Sequence, residues 1–241
     1  ANPPFNVSNW HPEDLPDGDP RLFGPREEFT TDGSANYMWM QTFWHHLSET
    51  GTAGIVMANG AMTSNNKGEK NVRQYMVDNS MVDAIVRLPD KLFLTTGIPA
   101  CLFILSKNRN GNDGTHRERN DEILFIDASK MGKMASRKLR VFNDDDINKI
   151  AETYHKWRNV TLSAVEGYSD VEGFCKAAKI EEVIKQDYKL TPGIYVGTEA
   201  EEDDGIPFEE KKKALKTELL EQFEKGEELK EKIKANFEKI L

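Results

Sequence analysis

The four residues Asn2-Pro3-Pro4-Phe5 combine side chains that suit one kind of chemistry. Two consecutive prolines fix their φ angles at about −65° and donate no backbone hydrogen bond. The residue before each is pushed into the extended region. The result is a stiff turn with free carbonyl oxygens, to which the Asn2 side chain adds one more acceptor. Such a turn accepts two hydrogen bonds from an exocyclic amine while Phe5 stacks on the attached ring. No methionine precedes it, so the terminus is expected to be either a processed cut or the start of a piece of a larger protein.

Elements must carry this turn to a ligand. Residues 36–49 place Met38, Gln41, Phe43, Trp44 and Leu47 at spacings of three and four, which predicts a helix closing at Gly51. Residues 52–58 read as a buried strand, 69–79 as a second helix, and 81–89 and 100–107 as two further strands. This alternation predicts a mainly parallel α/β sheet. The last two strands are joined by a loop without helical pattern, which favours antiparallel pairing there. The pattern matches one βαβ half of a doubly wound sheet, whose ligands lie at the carboxyl ends of the strands.

Beyond that half, residues 108–121 form a polar surface loop and 122–128 another strand. Asn143 or Asp144 caps a helix over 143–158 with Ile147, Ile150, Ala151 and Tyr154 on one face. A helix over 179–188 and a turn over 190–197 come next. Residues 199–205 are an acidic linker. From Pro207, the residues Leu215, Leu219, Phe223, Leu229, Ile233, Phe237 and Ile240 form the apolar stripe of a long amphipathic helix, with Gly226 a candidate bend. The narrow, sustained stripe favours packing on a partner helix.

Composition narrows the function classes. No apolar run approaches the roughly 20 residues of a membrane span, and no cationic-then-apolar leader is present. A cytoplasmic setting is expected, and Cys101 and Cys175 give no disulfide framework. The net charge is −9, whereas proteins that grip nucleic acid unaided present a basic face. An acidic chain that handles DNA needs a partner for most phosphate contacts.

The tetrapeptide NPPF resembles the catalytic motif of N6-adenine DNA methyltransferases. The segments ANYMWMQTFWHHL, GTAGIVMANGAMTSN, DAIVRLPDKLFLTTGIPACLFILSK and EILFIDASKMGKM resemble the modification subunit of type I restriction-modification systems, as does GFCKAAKIEEVIKQDYKLTPGIYVG. The resemblance covers essentially the whole chain and places it in the C-terminal part of that subunit. It implies an α/β fold: the C-terminal half of a Rossmann-like methyltransferase sheet over 1–107, a mixed α/β extension over 108–198, and the linker and long C-terminal helix over 199–241.

It further implies methylation of adenine N6 in duplex DNA from S-adenosyl-L-methionine, with the base flipped out of the stack. Asn2 and the Pro3 carbonyl would accept from the amine, Pro4 would stiffen the turn and Phe5 would stack on the base. Phe93, Asn59 and Asn65, in loops at the same end of the sheet, are candidates for contact with the base or the DNA. The glycine-rich cofactor motif does not occur after any predicted strand, so the chain is expected to be inactive alone. The implied partners are a DNA specificity subunit, a second modification subunit and, in the full complex, a restriction subunit. Duplex DNA would be engaged mainly through that assembly.

His45 and His46, on different helix faces, read as structural or surface residues. Asp83 and Asp90 read as unrelated acids, and the basic run 136–140 as solvated surface with a lesser claim on phosphate. Two other readings stay open: a methyltransferase of the same fold acting on RNA or a protein glutamine, and an interaction module without catalysis.

Overall fold

A computed structural model describes residues 1–94, 96–160, 167–198 and 208–237. The chain divides into two units, Ala1–Glu199 and Ala200–Leu241. The predicted linker 199–205, with Pro207 and Ile240, lies outside the described residues.

The first unit is built on five strands: β1 (Thr52–Ala58), β2 (Val82–Arg87), β3 (Ala100–Ser106), β4 (Glu122–Asp127) and, further along the chain, β7 (Cys175–Lys179), in the order β1-β3-β2-β4-β7. β2 pairs with β4 in parallel, and the other three ladders are antiparallel. The expected mainly parallel sheet is therefore a mixed one. β1, β2 and β4 share a direction, but β3 inserts between β1 and β2 in the opposite sense, matching Ile55 to Phe103 on one side and Ile85 to Phe103 on the other. The helix-free connection from β2 to β3 explains this, since a parallel return requires a longer crossover.

Side chains alternate across the sheet with a period of two. Ile55, Met57, Ile85, Phe103 and Phe125 enter one core with Tyr37 and Met40 of α2 (Asn36–His46) and Val72 and Met76 of α3 (Lys67–Asp78). Val86, Leu124 and Ile126 enter a second core with Tyr154 and Trp157 of α4 (Asp144–Arg158). Gly68 lets α3 approach closely, because a Cβ there would come within 2.2 Å of the Thr30 carbonyl oxygen.

Several predicted boundaries shift. α2 ends at His46, and Gly51 lies in a separate turn that donates to Ser48 O. α4 starts from a capping box in which Asn143 and Asp146 bond reciprocally. Its buried stripe runs through Tyr154 and Trp157, while Ile147 is 51% exposed. The helix expected over 179–188 is the short α5 (Ile180–Lys185). A one-turn α1 (Arg26–Phe29), strand β7 and a two-stranded ribbon, β5 (Lys133–Met134) with β6 (Arg140–Val141), had no counterpart in the sequence reading.

The predicted surface loop 108–121 is anchored by two buried arginines. Asp83 is fully buried and accepts from Arg119 Nε at 3.1 Å and from the Tyr154 hydroxyl at 2.6 Å, with Arg109 Nε 3.2 Å away. Burial lowers the Arg109 guanidinium to about 10, against the pull of Asp83. Asp90 instead lies near Lys91 and Arg140, so the two acids are unrelated.

Among the described residues of the second unit lies the helix α6 (Phe208–Phe237), continuous through Gly226. Leu215, Leu219, Phe223, Leu229 and Ile233 on it are all more than half exposed.

Candidate active site

The opening residues continue the sheet. The Ala1 amino group donates to Gly54 O at 2.6 Å, and Val56 N donates to Ala1 O at 2.9 Å. This is the hydrogen-bond pattern of a parallel bridge, so Asn2-Pro3-Pro4-Phe5 leaves the outer edge of β1 from a fixed register. Pro3 is buried, Asn2 and Pro4 are exposed, and Phe5 is half-buried. Among the described residues no backbone N–H donates to the carbonyls of Asn2, Pro3 or Pro4, and the prolines themselves have no N–H to offer a ladder.

The residues just behind the turn hold it in place. Asn6 takes a left-handed backbone conformation, with φ of 54°, which an asparagine tolerates better than most residues. Its N–H donates to Asn36 Oδ1 at 3.0 Å, and Asn36 Nδ2 donates back to Asn6 Oδ1 at 2.8 Å. Asn36 is 3% exposed and starts α2. Ala35 N donates to Val7 O, Asn9 N to Asp32 O, and Trp10 Nε1 to Thr31 O. These bonds tie residues 6–10 to the 31–36 loop.

Phe93 comes to the motif from the β2–β3 loop. Phe93 and Thr96 form an isolated antiparallel bridge. The Phe93 ring meets Phe5 edge to face, with centroids 6.2 Å apart and planes at 86°. Asn2, Pro3, Pro4, Phe5, Phe93 and Thr96 line a pocket of about 190 Å³. None of these side chains carries a charge, so the pocket offers neutral acceptors and aromatic surface.

Of the sequence candidates, Asn2, Pro3, Pro4, Phe5 and Phe93 are brought together. Asn59 and Asn65 do not line the pocket. Asn59 opens a 3-10 turn after β1, with its Oδ1 buried and unpartnered among the described residues. Asn65 is exposed, just before Asn66, the cap of α3. Sequence reasoning missed Asn6, Asn36 and Thr96. An asparagine directly after the motif, where a left-handed residue is needed, was the one available signal.

The sequence contains no Gly-x-Gly-x-x-Gly run, the nest expected for S-adenosyl-L-methionine. β1 passes through the turn Asn59–Met62 toward α3, and that connection carries one glycine, Gly60. β7 runs directly into α5 through Lys179 and offers no glycine nest for a ligand.

The family model for N-6 DNA methylase matches residues 1–204. The chain belongs to that family. Its similarity extends to the HindI type I restriction enzyme methylase subunit of Haemophilus influenzae, 43% identical over 98% of this chain and 49% of that protein. The MjaIX methylase subunit of Methanocaldococcus jannaschii is 37% identical over 97% of the chain and 40% of that protein. This N-6 DNA methylase chain therefore spans about half the length of these relatives or less. A type I restriction-modification methyltransferase subunit from Streptococcus thermophilus superposes with a TM-score of 0.66 at 26% identity, over 82% of this chain and 37% of that one. The EcoKI M protein shares the fold, with a TM-score of 0.55 at 16% identity, over 84% of this chain and 44% of that one. The expected methyltransferase-type α/β fold is thus established, with its sheet mixed in direction.

Proposed function

We infer that this chain holds the target adenine of a type I DNA modification methyltransferase. The observation that carries the reading is the pocket where the uncommitted acceptors of Asn2-Pro3-Pro4 meet the rings of Phe5 and Phe93. The Asn2 side-chain oxygen and the Pro3 carbonyl accept from the two N–H bonds of the adenine amine. Accepting both hydrogens would concentrate the nitrogen lone pair on the methyl carbon. As the N–C bond formed, the methyl–sulfur bond of the sulfonium donor would break to leave a neutral thioether, and the amine would lose one proton to solvent. Phe5 and Phe93 supply aromatic contact for a base flipped out of its duplex. The gain comes from orientation and preorganised acceptors. The methyl donor implied by the family is S-adenosyl-L-methionine; the sequence has no Gly-x-Gly-x-x-Gly run for it, so in this reading the chain alone is inactive.

The exposed apolar row on α6 supports docking on helices of a DNA specificity subunit. The net charge of −9 fits a protein that leaves sequence reading to such a partner. Deletion of residues 206–241 then abolishes the complex in gel filtration, and recovery of an intact complex overturns the docking role.

The test of the reading is product identity. The full-length subunit, assembled with its partners, is given labelled S-adenosyl-L-methionine with duplex DNA, RNA or protein. N6-methyladenine in the DNA digest supports the reading. Label in RNA or in glutamine supports a different methyltransferase of this fold, and label nowhere supports an interaction module.

A further inference from the structure

The basic run around residue 137 lies on a formed element. Residues 128–143 carry five cations and no carboxylate, in a chain of 41 acids and 32 bases. β5 and β6 pair Lys133 with Val141 and Met134 with Arg140. Ala135 N donates to Leu139 O at 2.9 Å, and Leu139 N donates to Ser136 O at 3.4 Å. Arg137 and Lys138 therefore occupy the apex of a β-hairpin. Gly132, with φ of 80°, closes its base, where a Cβ would come within 2.9 Å of Val141 O.

One cation of the hairpin is structural. Arg140 donates through its guanidinium to the carbonyls of Met131 and Gly132 at 3.2 and 3.1 Å. Its backbone N–H donates to Lys91 O at 2.8 Å, and its guanidinium lies 3.7 Å from Asp90. The hairpin is thus docked on the β2–β3 loop, two residues before Phe93 and the aromatic pocket. Lys133, Arg137 and Lys138 are exposed, and their side chains take no intramolecular partner among the described residues. The acids resume at Asp144–Asp146, in the first turn of α4, where Asp146 is held by the capping box.

Unpaired cations on a tight hairpin, fixed beside a base-sized aromatic pocket, suit phosphodiesters next to the extruded base. Phosphate contacts of this kind set register and orientation without reading sequence. We propose that the 133–141 hairpin, through Lys133, Arg137 and Lys138, grips the DNA backbone flanking the flipped adenine. The proposal rests on the DNA-methylating reading above and adds the element that orients the strand.

The test is the salt dependence of binding to a mixed-sequence duplex by the full-length subunit in its assembled form. Each phosphate contact contributes about 0.9 to the slope of log affinity against log salt. The double variant Arg137→Gln/Lys138→Gln is expected to shallow the slope by about two while its melting temperature stays unchanged. The same charge change at Lys185→Gln/Lys189→Gln, exposed positions outside the hairpin, is expected to leave the slope alone. An unchanged slope in the hairpin variant, or an equal drop in the control, overturns the proposal. If the parent then still methylates DNA, the catalytic reading stands and the hairpin assignment alone has failed. A parent that neither binds nor methylates DNA overturns both.

Discussion

Asn36 Nδ2 donates to Asn6 Oδ1 while Asn6 N–H donates to Asn36 Oδ1, at 2.8 and 3.0 Å. One buried amide at the start of α2 thereby fixes the left-handed residue directly behind Phe5. The motif's geometry depends on this exchange as well as on its prolines. Each such bond contributes about 1 kcal/mol, and a loss of 1.4 kcal/mol is about tenfold in rate. Asn36→Ala is expected to slow methyl transfer by the full-length subunit about tenfold in single-turnover measurements. A rate within twofold of the parent contradicts the positioning role.

Phe93→Ala removes the edge-to-face partner of Phe5, a contact of about 0.5–1.5 kcal/mol. It also removes aromatic surface for a base, worth about 1–3 kcal/mol. A duplex with 2-aminopurine at the target position reports this, since its fluorescence rises when the base leaves the stack. The variant is expected to show a reduced rise. An undiminished signal places Phe93 outside the base contact.

Asp83 lies between the buried Arg109 and Arg119 and also accepts from the tyrosine of α4. Asp83→Ala leaves two buried guanidinium groups uncompensated, with an expected loss of about 3–5 kcal/mol in chemical denaturation. A loss below about 1 kcal/mol, the range of exposed pairs, contradicts the burial of this network.

Asp19 is buried and bonded by Arg21, whose guanidinium lowers the carboxyl from 3.8 to about 2. A depressed carboxylate stabilises the fold above its unfolded value, and that contribution is lost as pH falls from about 4 through about 2. The acid limb of a pH titration of melting temperature should flatten in Asp19→Asn. Identical limbs in parent and variant remove Asp19 from acid stability.

Much of this was legible in the residues. Strand 52–58 matched to the residue, because an apolar run between turn signals has few other readings. The turn itself was visible as two prolines flanked by an amide and a ring. The sheet's direction was harder to read, because β3's insertion between β1 and β2 is a long-range pairing with no local signature. β7, as Cys175–Lys179, carries two lysines and two alanines, which gives no apolar alternation to detect. Asn36 looked like an ordinary helix residue, since its partner lies 30 positions away. Phe93 was singled out from its loop at the end of the sheet, and the structure places it against Phe5. Arg109 and Arg119 were read as surface because burial of a cation depends on a partner, Asp83, that only the fold supplies.

The most direct test is the single-turnover formation of N6-methyladenine by the full-length assembled subunit carrying Asn2→Ala. Asn2 is exposed, so its loss should leave folding and DNA binding intact while removing one amine acceptor. A fall of about 100-fold or more is expected, the range seen when one preorganised hydrogen-bonding group is removed from a transition state. A variant that forms N6-methyladenine at the parent's rate would contradict the claim that this turn holds the adenine amine.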